Sequence, residues 1–153
     1  PELRRKLRAV AWDQAQVTGA SLLVILCADL KSWTRSPKRY WRNAPTEVQD
    51  FIVPAIGQYY EGREWVQRDE AMRSCGIAAQ TLMLAAKGHG LDTCPQAAWI
   101  PVQEPIFEHL GIPEDQELVS GMSLGYADPD AIENTLVSER EDIANVVTWR
   151  GFD

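Results

Sequence analysis

The chain has 153 residues, 45% of them hydrophobic and 24% charged, with a formal net charge of −7. That is enough chain and apolar content for one domain with a sizeable core, and it excludes a disordered or low-complexity protein. The acidic balance argues against general nucleic-acid binding, and the longest apolar run, residues 22–28, is far too short to cross a bilayer.

Residues 1–17 read as an amphipathic helix. Leu3, Leu7, Val10, Ala11 and Gln14 recur at helical spacing, and Thr18-Gly19 ends the pattern. The unbroken branched run at 21–28 has the signature of a strand buried on both faces. Residues 29–45 are polar and aromatic without a clean period, which predicts an irregular excursion. A helix is expected from Thr46 toward Tyr60, interrupted at Pro54 and Gly57. The stretch 65–99 organises the rest. Its helix is apolar or small nearly all round over 76–86, so other elements should wrap it on most sides, and it should stop at Gly88 or Gly90. A short strand at 92–94 then enters a turn fixed by Pro95, which delivers the backbone of Gln96, Ala97 and Ala98 to a defined place. Pro105 suits the opening of a short helix that closes at Gly111. Residues 118–126 form a second buried strand, Asp128-Pro129-Asp130 turns the chain out of the sheet, and 146–149 read as a late edge strand. Alternating helices and buried strands, without repeats or a second domain, imply an α/β or α+β sandwich.

Charge is unevenly spread. Residues 1–42 carry nine Lys/Arg against Glu2, Asp13 and Asp29, a pattern that suits either an anion-binding face or solvated helix surface. Cys27, Cys75 and Cys94 are odd in number and scattered, which reads as reduced thiols and a cytoplasmic home; each sits where a small buried hydrophobe would. Gly121-Met122-Ser123-Leu124-Gly125 matches the pattern of a serine-hydrolase elbow. That elbow needs a helix after the serine and a histidine downstream. Here Tyr126-Ala127-Asp128-Pro129 follows, while His89 and His109 both lie upstream, so Ser123 reads as a strand residue. Histidines and cysteines never approach ligand spacing, the acidic group Asp128, Asp130 and Glu133 lacks a calcium loop's glycine, and no phosphate loop appears. No metal site is expected.

One pattern spans much of the chain. A small-residue helix leads to Gly88-His89-Gly90-Leu91-Asp92-Thr93-Cys94-Pro95-Gln96-Ala97-Ala98-Trp99. Leu110-Gly111-Ile112-Pro113 follows, then Gly121-Met122-Ser123-Leu124-Gly125-Tyr126-Ala127-Asp128-Pro129-Asp130, Asn134 and Ser138-Glu139-Arg140. This closely resembles the FMN-dependent nitroreductase family. The likeness reaches back through the strand at 20–29 and forward to Val147-Thr148-Trp149-Arg150-Gly151-Phe152, similar to the family's closing arm. It implies an α+β fold: a three-layer sandwich with a mixed, mostly antiparallel sheet flanked by helices. On this reading the chain is a single domain over 1–153, with a variable lid at 33–60 and a C-terminal arm at 141–153. It looks like roughly the C-terminal two thirds of a family member, with the usual N-terminal flavin-binding segment missing.

The resemblance also assigns roles. FMN would be the cofactor, NAD(P)H the donor, and a nitroaromatic, quinone or similar small molecule the acceptor, in a two-step exchange on one flavin face. No catalytic side chain is required, because the difficult chemistry belongs to the cofactor. Ala97 and Ala98 fall where backbone N–H groups meet flavin N5; the Ala-Ala pair departs from the glycine or glutamate frequent there, but the N–H donors survive the change. Pro95 and Gln96 fix that turn. Asp13 and Gln16 match polar positions at the pyrimidine edge, and Arg140 matches the family's phosphate-binding arginine, although Thr135, Val137 and Ser138 replace its usual basic neighbours. Trp33, Tyr40, Trp41 and Phe51 fall in the lid over the substrate face, where aromatic rings can stack on a flat substrate. The family association implies a homodimer. Two rivals remain: a flavin- or ligand-binding module of this type without turnover, and a fragment that pairs with a separate N-terminal piece.

Overall fold

Side chains at alternate positions of β1 (Leu22–Asp29) divide between two cores, and that division sets the layers. In the computed structural model, which describes residues 1–151, Leu23, Ile25 and Cys27 face a cluster that includes Leu7, Val17, Trp99, Ile106 and Leu118. Val24 and Leu26 face the opposite cluster of Met122, Leu124, Ala86, Leu82 and Met83. Helices therefore cover both faces of the sheet. On one side lie α1 (Glu2–Val10), α2 (Gln16–Gly19) and α5 (Gln103–Leu110); on the other lies α4 (Glu64–Gly88).

The sheet has three strands in the order β1, β3 (Gln116–Gly125), β2 (Asp92–Gln96), and both pairings are antiparallel. The parallel component implied by a mixed sheet does not occur among the described residues. Central β3 carries a bulge: Leu26 pairs with Ser120 but Cys27 pairs with Leu118, so Val119 is left over. That extra residue switches the alternation of β3. Leu118 joins the first core while Met122 and Leu124 join the second, although simple alternation would put all three on one face. β2 is an edge strand, the place in a sheet that tolerates Pro95.

Four expectations are corrected. The first helix does not run through residue 17: it stops at Val10, because Trp12 and Asp13 take left-handed φ values of 58° and 51°, and α2 begins only at Gln16. Nor is α3 (Thr46–Tyr60) interrupted at Pro54 or Gly57. Its last turn is held from outside, where Gln67 Nε2 donates to the Tyr60 carbonyl at 2.8 Å and the Tyr60 hydroxyl donates to Glu70 at 2.6 Å; these anchors offset the bond lost at the proline. α4 is not wrapped on most sides. Ala79, Leu82, Met83 and Ala86 pack on the sheet, but Ile77 and Leu84 on other faces are 70% and 65% exposed, because one narrow sheet covers one face only. Among the described residues no strand forms after Gly125. Asp142 instead caps a single helical turn, α6 (Ile143–Val146), by accepting from the Ala144 N–H at 2.9 Å, which takes Val146 into helix and leaves 147–149 without regular structure; residues 152 and 153, at the end of the expected arm, lie outside the described residues.

The stop after α4 is as the sequence implies. Gly90 adopts φ 74°, its N–H donates to Lys87 O at 3.0 Å, and the Leu91 N–H donates to Ala86 O at 2.9 Å. These two bonds close the last turn in a Schellman arrangement and aim the chain into β2.

Candidate functional site

Two turns distant in sequence meet at one side chain. The reversal between α1 and α2 is stabilised by Arg8, whose Nε donates to Asp13 Oδ1 at 2.7 Å and whose Nη1 donates to Thr18 Oγ1 at 3.0 Å. The reversal presents Gln14. Its Oε1 accepts from Gln96 Nε2 at 2.9 Å and from Trp99 Nε1 at 2.8 Å. Gln96 ends β2, paired with Gly121, and a 3₁₀ turn, Ala97–Val102, starts directly after it. Trp99 is 0% exposed and lies flat over Gly121, where any Cβ would come within 2.8 Å of the indole. The glycine that opens the hydrolase-like motif is thus needed for packing, and Ser123 is a mid-strand residue paired with Leu23 and Cys94.

Ala97 and Ala98 are exposed between the buried Gln96 and Trp99. They carry nothing beyond Cβ, so a flat ligand can approach their backbone. Gln96 Oε1 is buried and has no hydrogen-bond partner among the described residues. A buried acceptor without a donor is costly, and a ligand N–H would relieve it. The residues at this turn therefore fit the edge of a ring that both donates and accepts hydrogen bonds, as a flavin does.

The remaining residues singled out by sequence fall as follows. Pro95 is exposed beside Gln96. Asp13 is exposed and engaged by Arg8, and Gln16 opens α2. Arg140 is exposed and its Nη1 bonds locally to Ser138 and Glu139; none of these bonds ties it to the Gln14–Gln96 junction. Trp33, Tyr40 and Trp41 line a separate cavity against α4, whereas Phe51 is 75% exposed and lines none of it. Gln14 itself was missed as a site residue. Its signal was a polar side chain in the apolar stripe expected over residues 1–17, a place where an amide needs a buried partner.

Burial disfavours the thiolate at two of the three cysteines. Burial pushes the Cys27 thiol up, with Cys75 adding to the effect, and burial likewise raises Cys75. Both move away from the thiolate that nucleophilic attack requires. No cluster of metal-ligating side chains and no helix long and apolar enough to cross a membrane occurs among the described residues.

A three-layer α+β sandwich presenting bare backbone beside a buried amide is a scaffold on which a flat ring ligand can be held. The sequence model of the nitroreductase family matches residues 1–126, and the chain belongs to that family. Protein DrgA of Synechocystis sp. (strain ATCC 27184 / PCC 6803 / Kazusa) is 43% identical over 131 residues, covering 86% of this chain and 61% of its own length. A 4-nitrobenzoate reductase of Pseudomonas putida is 45% identical over 78 residues, 51% of this chain and 34% of its own. The chain thus spans between a third and three fifths of these two curated relatives. Among solved structures, ydfN of Bacillus subtilis superposes with a TM-score of 0.85 at 22% identity, over 97% of this chain and 73% of its own. A protein of Exiguobacterium sibiricum 255-15, described as a nitroreductase in complex with FMN, gives 0.79 at 27% identity, over 96% of this chain and 71% of its own.

These matches overturn one expectation. The likeness is not that of a family pattern lacking its opening: the family match begins at residue 1, and the fold match runs over nearly the whole chain.

Proposed function

We propose that this protein is an FMN-dependent oxidoreductase that passes electrons from NAD(P)H to a nitroaromatic, quinone or similar small acceptor, in two half-reactions at one site. The observation that carries the reading is the double hydrogen bond of Gln14, which locks the 95–99 turn to the α1–α2 reversal and leaves Ala97 and Ala98 bare beside an unmet Gln96 oxygen. FMN would supply the electron chemistry. The chain supplies placement: Ala97 and Ala98 offer backbone N–H groups to the ring, Pro95 and Gln96 fix their position, Asp13 and Gln16 face its polar edge, and Arg140 holds the phosphate. A guanidinium suits phosphate because it can grip two oxygens at once, and most of the Arg140 donors are not engaged by its local bonds. Residues 33–60 act as a lid, with Trp33, Tyr40, Trp41 and Phe51 on the acceptor side.

The protein works in the cytoplasm as a homodimer, with the cofactor held where subunits meet. Support comes from surface this chain leaves bare: Trp65, Ile77 and Leu84 on α4, and Leu136, Val137 and Val146 along the arm at 141–153 and just before it. So much exposed apolar side chain is typical of an interface rather than of a monomer's surface.

A visible spectrum tests the reading. Flavin absorbance that bleaches with NAD(P)H and returns on adding an acceptor supports the oxidoreductase; flavin absorbance indifferent to NAD(P)H replaces it with a non-catalytic binding module; a protein that takes up no FMN rejects both.

A further inference from the structure

The cations of α1 gather around one hollow. Arg4, Arg5 and Arg8 line an open space of about 520 Å³ together with Ala9, Asp13 and Thr18, and with Pro1 also in the lining. No residue of the 95–99 turn belongs to it. On α1 the pairs Arg4 and Arg8, and Arg5 and Arg8, have the spacings that bring side chains together on one helix face, where like charges repel. Little nearby answers that repulsion. Asp13 is the one carboxylate in the lining, so three guanidiniums face a single negative group and the hollow is positive by two charges. Glu2, the only acid of α1 itself, is drawn to Lys6 at 3.4 Å.

Two of these guanidiniums are already fixed. Arg4 donates from Nη1 to the Ala20 carbonyl at 2.5 Å and from Nη2 to the Ser21 carbonyl at 2.8 Å. Arg8 donates from Nε to Asp13 and from Nη1 to Thr18. A guanidinium carries more N–H groups than these bonds use, so both keep donors to spare. The Arg5 guanidinium is exposed and bonds to nothing among the described residues. Cations held in place before a ligand arrives lose little side-chain freedom when it binds.

We propose that this hollow binds a phosphate monoester, gripped by Arg5 and by the spare donors of Arg4 and Arg8. Near neutral pH such a group carries a charge of about −1.5 to −2 and presents three acceptor oxygens. That charge matches the surplus of the lining, and guanidinium forks suit phosphate oxygens taken in pairs. A carboxylate brings less charge and fewer oxygens, so it fits less well. Arg140 is not in this lining, and the site is separate from the phosphate grip proposed for it. The monoester belongs either to a free small molecule or to the 2′-phosphate that distinguishes NADPH from NADH. Only the second source rests on the oxidoreductase reading; binding in the hollow does not.

The test is calorimetric titration of the whole chain, with and without saturating FMN. Glucose 6-phosphate should bind once per chain under both conditions, glucose should not bind, and gluconate should bind at least about tenfold more weakly than the phosphate. Arg5→Gln should weaken glucose 6-phosphate roughly tenfold, the size of a lost charge-assisted hydrogen bond, and added salt should weaken it further. Ala9→Glu, which brings a carboxylate to an exposed lining position, should abolish binding, whereas Lys6→Gln, outside the lining, should leave it nearly unchanged. A preference for NADP⁺ over NAD⁺ that disappears in Ala9→Glu assigns the monoester to the nicotinamide donor. Equal binding of those two, with glucose 6-phosphate still bound, assigns it to a free phosphate. Absence of glucose 6-phosphate binding, binding that ignores both Arg5→Gln and Ala9→Glu, or displacement by FMN would each overturn the proposal. Glucose 6-phosphate binding in a protein that takes up no FMN would count against the oxidoreductase reading alone.

Discussion

Gly121→Ala isolates the packing that holds the proposed flavin turn. A Cβ at this position would lie 2.8, 2.9 and 3.0 Å from Cζ3, Cε3 and Cη2 of Trp99. Three ring atoms are too close at once, so no single torsion relieves the clash. The indole cannot slide either, since it is fully buried and its N–H is tied to Gln14. Overpacking of this kind costs about 1–3 kcal/mol, which for a chain of this size lowers the melting temperature by roughly 2–12 °C. Gly121 pairs with both Ile25 and Gln96, so the displacement should reach the 95–99 turn and weaken FMN retention together with stability. Gly125→Ala is the internal comparison: its Cβ would meet only the Ser21 backbone and hydroxyl, at 3.3 Å, and the loss should be smaller. Thermal melts, near-ultraviolet circular dichroism and FMN titration read the outcome. A Gly121→Ala protein with parental melting temperature and parental tryptophan dichroism would refute the account of Trp99 and the fixed turn above it.

Other perturbations follow the same reasoning. Gln14→Ala leaves the Trp99 N–H and the Gln96 amide without their shared acceptor, a loss of about 1–3 kcal/mol, and should release FMN more readily than Asp13→Asn does; equal effects of the two substitutions would remove Gln14 from its central place. Tyr60 is pushed from its ordinary 10.0 up to about 12, chiefly by its hydrogen bond to Glu70 and then by burial. The stability this bond adds is therefore full below pH 10 and lost as pH rises through about 12. Glu70 is shifted the other way, lowered from 4.5 by its bonds from Tyr60 and Tyr59, so its contribution is present above 4.5 and lost as pH falls through the lowered value. Comparing parent and Tyr60→Phe across both ranges checks the pair, and identical pH profiles would dismiss it. Gly76 sits in mid-helix with nothing within 4 Å of a built Cβ, so Gly76→Ala should stabilise a lone chain by about 0.5–1 kcal/mol. A destabilised Gly76→Ala dimer in sedimentation and melting would instead locate another subunit's backbone against that face. Arg140→Ala should raise the FMN dissociation constant while leaving turnover at saturating FMN nearly unchanged, and an unaltered dissociation constant would take Arg140 out of the phosphate site.

The elements with strong local signals were legible. The branched run of β1, the small-residue helix α4 with its Gly90 stop, the short helix α5 closed by Gly111 at φ 65°, and the buried strand β3 all lie close to where pattern and punctuation put them. The candidate site was legible only in part. Sequence pointed to the 95–98 turn and to Asp13 and Gln16 on either side of the residue that matters most. Gln14 shows in the sequence only as a polar residue in an apolar stripe; its partners lie 82 and 85 residues away, and no local pattern names them.

What the sequence determined by itself was whatever depends on neighbours along the chain: helix and strand type, caps, the absence of a hydrolase elbow, and the family pattern read from residues 88–99 and 121–130. The tertiary structure decided the rest. It showed that α1 breaks at Trp12, that Val119 is squeezed out of register and exchanges the faces of β3, and that Gly121 is a glycine because an indole lies on it. It also showed that a single sheet covers one face of α4 and leaves Ile77 and Leu84 outside. Each of these is a matter of volume and of hydrogen-bond supply in three dimensions, settled only when segments far apart in the chain compete for the same space.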